Sequence, residues 1–296
     1  MSEPIAKHQM FEYEINNPFQ IINLEGPLIC EENLLNHWHT ELEMAYIFQG
    51  HSDHYVDGNC IHAAPGDLVV VNSESIHSII PDHTACQSRG MIAVVLIISR
   101  DFVMECFPDL DCHYFVISGK LNRIEVRRIM VTLSEKANCA CNHEESLLIK
   151  GLILELFYYL CQDGYQMKDF VMNINQQKNN ERLKGIIQHV ERHYMEPITQ
   201  SDTAKRFYFT KEYFSRFFKR NTGVNFKQYL TNYRILKARN ELIGTDHSIL
   251  EIALNNGFSD ERRLIESFKK IYQITPLQYR KKNSSDYNHK KMIDNK

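Results

Sequence analysis

The run Ser248-Ile-Leu-Glu-Ile-Ala-Leu-Asn-Asn-Gly-Phe-Ser-Asp-Glu-Arg-Arg-Leu-Ile-Glu-Ser-Phe-Lys-Lys270 leaves the chain little freedom in how to fold. Ser248 followed by Glu251 is a capping box, so a helix starts there. Ile249, Ile252 and Ala253 give that helix an apolar face. Gly257 then supplies a backbone conformation that other residues adopt only at a cost, and the chain turns sharply. Ser259 is expected to cap a second helix, with Leu264, Ile265 and Phe268 turned inward. Two short helices joined by a tight glycine turn read as a helix-turn-helix.

The same plan occurs about fifty residues earlier. Thr199 opens a short helix carrying Ala204 and Phe207. Thr210 opens another, Lys211 to Arg220, which Gly223 stops. Phe226, Tyr229, Leu230, Tyr233, Leu236 and Leu242 lie near helical spacing, so Phe226 to Ile243 reads as one long helix between the two units.

These blocks resemble the DNA-binding domain of the AraC/XylS family of transcriptional regulators. The resemblance is carried by Tyr229-Leu-x-x-x-Arg234-x-x-x-Ala238, Ile252-Ala253-x-x-x-Gly257-Phe258-Ser259, Phe268-Lys269-Lys270 and Thr275-Pro276-x-x-Tyr279-Arg280, spread over about a hundred residues. It departs from the family at Gln200 and Thr203, where leucines are usual, and at Gln273, where glycine is expected before Ile274. The resemblance implies that the second helix of each unit enters a major groove. Lys211, Glu212, Ser215 and Arg216 in the first unit, and Glu261, Arg262, Arg263 and Glu266 in the second, then carry the base contacts. The arginines suit guanine and the carboxylates a cytosine amine. Lys219, Arg220, Lys227, Lys269 and Lys270 are assigned to phosphates, with plain solvated charge as the alternative.

Charge agrees with this division. From Lys178 onward there are 24 Lys+Arg against 13 Asp+Glu, a net of +11; the remaining 10 Lys+Arg and 24 Asp+Glu give residues 1–177 a net of −14. A polyanion suits the basic half alone.

The acidic half reads differently. His37 to Gln49, His54 to Val56, Ile61 to Ala63, Leu68 to Val71 and Met91 to Ile98 are short strand-like runs separated by Asp57-Gly58-Asn59 and Pro65-Gly66. Phe11 to Ile22 adds an arm and one or two strands. The pattern predicts a β-barrel or jelly roll. His37-x-His39-x-x-x-Glu43, followed later by Gly50, resembles the first cupin motif, and Gly66-x-x-x-x-x-Asn72 followed by His77 resembles the second. The motifs depart from the cupin pattern before His37 and at Asn72 and Glu74. On a strand His37, His39, Glu41 and Glu43 share one face. Three readings stand side by side: an effector pocket lined by His37, His39, Glu43 and His77, a divalent-metal site made of the same residues, or histidines satisfied inside a barrel. His51, His54, His62 and His83 show no ligand spacing and are expected at the surface or in loops.

Asn122 to Asn138 places Val126, Ile129, Met130 and Leu133 on one stripe, an amphipathic helix. Glu144 to Gln162 is apolar almost all round. Its inner face can lie on the barrel; its outer face asks for a second copy of the chain or for cover by the DNA-binding domain. Asp169 to Asn180 is polar without apolar periodicity and reads as a linker.

The expected architecture is α+β and multidomain: a cupin-like effector domain over 1–118, a helical dimerisation segment over 119–168, a linker over 169–180, the tandem helix-turn-helix domain over 181–282 and a polar tail over 283–296. Met1-Ser-Glu-Pro shows no export signal, and Leu147 to Cys161 is too short for a bilayer. The eight cysteines form no CxxC and are expected as free thiols of a cytoplasmic protein, a redox sensor being the rival. The expected partners are double-stranded DNA, a small polar effector (a sugar or glycoside by resemblance), a second copy of the chain and the transcription machinery. No catalysis and no obligatory cofactor are expected. The rivals are a metal-dependent cupin enzyme, or a metal sensor, fused to a DNA-binding domain.

Overall fold

The computed structural model describes residues 17–25, 35–82, 90–115, 123–137, 142–167 and 170–282. They divide into two compact units, whose main boundary lies between Lys184 and Gly185; Arg220–Gly223 group with the first. The arm residues Phe11, Tyr13 and Ile15, together with His83, Cys139, Cys141 and the tail after Lys282, lie outside the described residues.

Seven strands build the first unit's main sheets: β1 (Phe19–Glu25), β2 (Leu42–Ile47), β3 (Ser52–Val56), β4 (Asn59–Ala63), β5 (Leu68–Val71), β6 (His77–Pro81) and β7 (Met91–Ile98). One sheet has the order β1-β7-β2-β5, the other β4-β3-β6. Every described pairing is antiparallel. Asp57 and Gly58, both at positive φ, join β3 to β4 in a two-residue turn. Its twist matches that of the flanking strands.

Strand β2 is buried along its whole length because both its faces are covered. Leu42, Met44 and Tyr46 join a core with Val126, Ile129 and Leu133 of α2 (Arg123–Lys136) and Ile149, Ile153 and Leu156 of α3 (His143–Gly164). Ala45 and Ile47 pack the other way, with Val69, Val95 and Ala63. Glu43 belongs to this second row by alternation and so enters the space between the sheets. A short α1 (Arg100–Cys106) and the pair β8 (His113–Phe115) and β9 (Tyr165–Met167) complete the unit's connections.

Helix α3 is capped by Asn142, which accepts from Glu145 N. Its inner face is buried, while Leu147, Leu148, Leu154 and Tyr158 are exposed.

The segment read as a linker is helical. Helix α4 (Phe170–His193) runs through it without a break. The ordering force there is polar. Gln176 and Asn180, one turn apart, face the β3–β4 turn; Gln176 Nε2 donates to Asp57 O at 2.6 Å and Asn180 Nδ2 to Asp57 Oδ1 at 2.7 Å. Apolar periodicity could not have revealed this.

The second unit carries α5 (Gln200–Arg206), α6 (Lys211–Thr222), α7 (Phe226–Gly244), α8 (Ile249–Asn255), α9 (Glu261–Tyr272) and α10 over residues 276–282. The two helix-turn-helix units match in detail. Thr199 caps α5 and Ser248 caps α8, the latter with the full capping box. Phe209 N bonds to Ala204 O and Phe258 N to Ala253 O, both at 2.9 Å. A left-handed residue precedes each: Tyr208 at φ 59 and Gly257 at φ 76. A second left-handed position ends each second helix, Gly223 at φ 76 and Gln273 at φ 59. Glycine therefore fills one left-handed position in each unit, and a residue with a side chain fills the other.

Two arginines of the sequence motif act as helix caps. Arg234 donates to Tyr194 O and Glu196 O, both at 2.7 Å, just beyond the end of α4. Arg280 donates to Leu242 O at 3.0 Å and His247 O at 2.7 Å at the end of α7. These groups satisfy carbonyls that a helix end leaves open. Helix α9 is capped by Asp260, not by Ser259: Asp260 Oδ1 accepts from Arg263 N at 2.9 Å. Ser259 instead donates its hydroxyl to Asp260 Oδ2. The carboxylate wins because it reaches the open N–H groups and brings negative charge to the positive helix end.

Candidate effector site and nucleic-acid interface

The first site lies between the sheets of the first unit. Its residues converge, but not along one continuous strand as their spacing suggested. Regular pairing begins only at Leu42. Upstream, His37 forms an isolated bridge to His77, with His37 N to His77 O at 3.0 Å and the reverse bond at 2.9 Å. Glu74 N bonds to His39 O at 2.8 Å and fixes the intervening turn. The backbone thus sets the N-terminal histidines against the start of β6, while β2 brings Glu43 from the opposite sheet.

One donor atom from each of His37, His39, Glu43 and His77 lies within 4.8 Å of the others. His39, Glu43 and His77 are buried and His37 is partly so. His39 Nε2 is 3.1 Å and His77 Nε2 3.4 Å from Glu43 Oε2. His37 Nδ1 faces Leu35 O at 3.3 Å and His77 Nδ1 faces Ser75 O at 3.0 Å. A carbonyl only accepts, so Nδ1 carries the proton in both rings and Nε2 points to the cluster.

Burial alone would raise the Glu43 carboxyl, but His77 and His39 beside it hold it well below the usual carboxylate range. Burial pulls His77 down, and Glu43 more than reverses this, so His77 titrates above an ordinary histidine. Burial, with His77 adding to it, lowers His37 to about 3. These shifts favour a charged Glu43 beside His77 and keep His37 neutral. Two buried atoms here, His77 Nε2 and Glu41 Oε2, lack a hydrogen-bond partner among the described residues.

Two further residues join the site: Glu41, placed by alternation on the shared face but given no role, and His54, missed from sequence. Glu41 is buried with Oε2 3.5 Å from His39 Nδ1. His54, expected at the surface, is buried on β3, where its Nε2 lies 2.9 Å from Ser52 Oγ. Burial lowers its pKa to about 4. The alternation Ser52, His54, Val56 was the signal that placed it inside. His51 and His62 are exposed, as expected.

The second site is the exposed face of the helix-turn-helix units. On α6, Lys211, Glu212 and Arg216 are exposed and Ser215 is partly so, while Phe214, Phe217 and Phe218 are buried. Glu212, Ser215 and Arg216 share a face by helical spacing. On α9, Glu261, Arg262, Arg263 and Glu266 are exposed over buried Leu264 and Phe268. Arg262 Nε bonds to Glu266 Oε1 at 2.7 Å, so reading a base with Arg262 means breaking or sharing this pair. Arg263 Nε stays 3.7 Å from Asp260. Lys227, Lys269 and Lys270 are exposed too.

Comparison with known proteins bears on both sites. Residues 33–102 match the family model described as an AraC-like ligand binding domain, and residues 203–282 match a helix-turn-helix domain model. An uncharacterized HTH-type transcriptional regulator of Staphylococcus aureus is 24% identical over 81% of this chain and 31% of its own length. The chain thus spans about a third of that relative. The uncharacterized regulator YdeC of Bacillus subtilis is 24% identical over 88% of this chain and 94% of its own. Among solved structures, the C-terminal domain of the response regulator yesN from Fusobacterium nucleatum is 37% identical over 34% of this chain and 98% of its own, with a TM-score of 0.33.

Proposed function

Since the chain belongs to the AraC family of transcriptional regulators, we propose that it binds specific duplex DNA through α6 and α9 and changes that binding when a small polar effector occupies the histidine cluster. The observation that carries the reading is the repeated helix-turn-helix, with both second helices offering charged residues over an aromatic or aliphatic underside. Arg216, Arg262 and Arg263 read bases, and Lys227, Lys269 and Lys270 hold phosphates. His37, His39, Glu43 and His77 contact the effector, for which a sugar or related metabolite is favoured. The protein works in the cytoplasm with the transcription machinery and performs no catalysis; no helix among the described residues is long and apolar enough to cross a membrane.

Selection of DNA from a random pool by the intact protein, followed by anisotropy titrations at several salt concentrations, tests the reading. A recovered motif bound with a steep salt dependence is expected. Binding without sequence preference would overturn it.

The sensor domain is proposed to span 1–118 and the helical segment over 119–168 to pair with a second copy. The exposed apolar residues Leu147, Leu148, Leu154 and Tyr158 of α3, and exposed Ile124 of α2, support that pairing. The area is apolar on a protein surface otherwise rich in charge.

One observation favours a second reading of the sensor. His37 and His77 are tethered through Nδ1, which leaves Nε2 to a ligand, the arrangement a metal-binding histidine needs. The donor set fits a divalent cation, held by three imidazoles and Glu43. Such an ion would supply Lewis acidity and displace the His77 proton on binding. Metal analysis of purified protein, with melting curves in chelator and in added Zn²⁺, Ni²⁺ or Mn²⁺, separates the readings. A metal effector raises the melting temperature and a polar organic effector is indifferent to chelator.

A further inference from the structure

The outer face of the β3–β4 hairpin holds a second cluster of ligand-type side chains, unconnected with the histidines inside. Alternation sends Ser52, His54 and Val56 inward and leaves Asp53 and Tyr55 on the other face, together with Cys60 and His62 of β4. The register sets Asp53 directly opposite His62 and Tyr55 directly opposite Cys60. His62 Nδ1 lies 2.6 Å from Asp53 Oδ1. One donor atom from each of Asp53, Cys60 and His62 lies within 4.8 Å of the other two. The tight Asp57–Gly58 turn fixes this register, so the convergence comes from regular backbone.

We propose that Asp53, Cys60 and His62 form a surface site for a borderline-soft divalent cation of the zinc class. Sulfur, imidazole nitrogen and one carboxylate oxygen are the donors such ions take, whereas Mg²⁺ and Ca²⁺ require oxygen throughout. Tetrahedral donors at about 2.1 Å from the ion sit roughly 3.4 Å apart. The Asp53–His62 pair opens by about 1 Å to reach that spacing, which two solvent-facing side chains, 43% and 79% exposed, allow. Three protein ligands leave a fourth position for water or an exogenous donor. Binding converts the Cys60 thiol to a thiolate and releases its proton to solvent. The site is distinct from the inner cluster, which contains no sulfur.

Cobalt distinguishes the two places, because only a thiolate ligand produces sulfur-to-cobalt charge transfer in the near ultraviolet. The intact, reduced protein is titrated with Co²⁺ and then with Zn²⁺. A charge-transfer band that saturates at one cobalt per chain and is quenched by Zn²⁺ is expected. Cys60→Ser should abolish it. His62→Asn and Asp53→Asn keep every thiol and should each weaken cobalt binding by at least about tenfold. All three residues face solvent, so the metal-free variants should melt like the parent. Absence of the band in the folded parent overturns the proposal, as does a band that survives Cys60→Ser or is undiminished in His62→Asn.

Discussion

Tyr208 and Gly257 occupy corresponding left-handed positions in the two helix-turn-helix units, yet they should respond to substitution in opposite directions. Tyr208 has φ 59, and its side chain is 98% exposed. Left-handed backbone costs a residue with a Cβ about 1–2 kcal/mol. Replacing Tyr208 by glycine removes that cost and gives up almost no burial. The added freedom of glycine in the unfolded chain takes back about 0.5–1 kcal/mol. Tyr208→Gly should therefore stabilise the second unit by about 0.5–1 kcal/mol. In a domain of this size that is roughly 2–8 °C of melting temperature. At Gly257 a Cβ would lie 2.7 Å from Tyr194 O and 2.9 Å from Met195 Cα, both backbone atoms. Overpacking of about 1–3 kcal/mol then adds to the left-handed cost, so Gly257→Ala should destabilise by roughly 2–5 kcal/mol. Urea and thermal melts of residues 178–296, followed by far-ultraviolet circular dichroism, measure both. A Tyr208→Gly protein that melts at or below the parent would show that the tyrosine ring contributes more than its backbone costs, and the strain argument would fail.

Further outcomes are expected at the proposed binding surfaces. Arg263→Ala should cost about 1–3 kcal/mol at one base pair and relax specificity there, as read by anisotropy on cognate and mismatched duplexes; equal loss on random DNA would contradict a base contact. Residues 178–296 alone should bind duplex DNA with an affinity that falls steeply with salt, and a flat salt response would count against phosphate binding by the exposed lysines. Leu154→Glu, at an exposed apolar position of α3, should turn a dimer into monomers in sedimentation at micromolar concentration; an intact protein already monomeric there would refute the pairing. His39→Ala and His77→Ala should lower effector affinity by roughly one to two decades, the effect of leaving one buried polar group unpaired. Lower stability with unchanged effector affinity would instead give these residues a structural role.

How much of this was legible depended on the range of the forces involved. The helix-turn-helix units are written in local chemistry. Caps at Thr199 and Ser248 and glycines at 223 and 257 act within a turn of their own position, and the helices formed where those signals stood. The strands Leu68–Val71 and Met91–Ile98 were equally plain, as continuous apolar runs covered on both faces. The sensor cluster was legible as a set but not as a geometry. His37 reaches its place through a bridge to a residue forty positions away, which no local pattern encodes. His54 lies outside the cupin spacing, and only the alternation of β3 marks it as buried. The helix over residues 170–180 was not foreseen because α4 is ordered there by amide side chains on Asp57, a contact between distant segments.

Ser259 and Asp260 show the limit of local reading at its finest. Both can cap, both lie at the start of α9, and the choice follows from which oxygen reaches Arg263 N. Gln273 shows how much departure the fold absorbs. It stands where glycine is expected, yet it adopts φ 59 and its Nε2 donates to Lys270 O at 3.1 Å. A strain of about 1–2 kcal/mol, partly offset by that bond, is small against the burial of Leu264, Phe268 and Tyr279 around it. A mismatch at a single turn residue therefore weakens the unit without redirecting the chain. The buried apolar set decides the fold, and the turn chemistry sets how much stability remains.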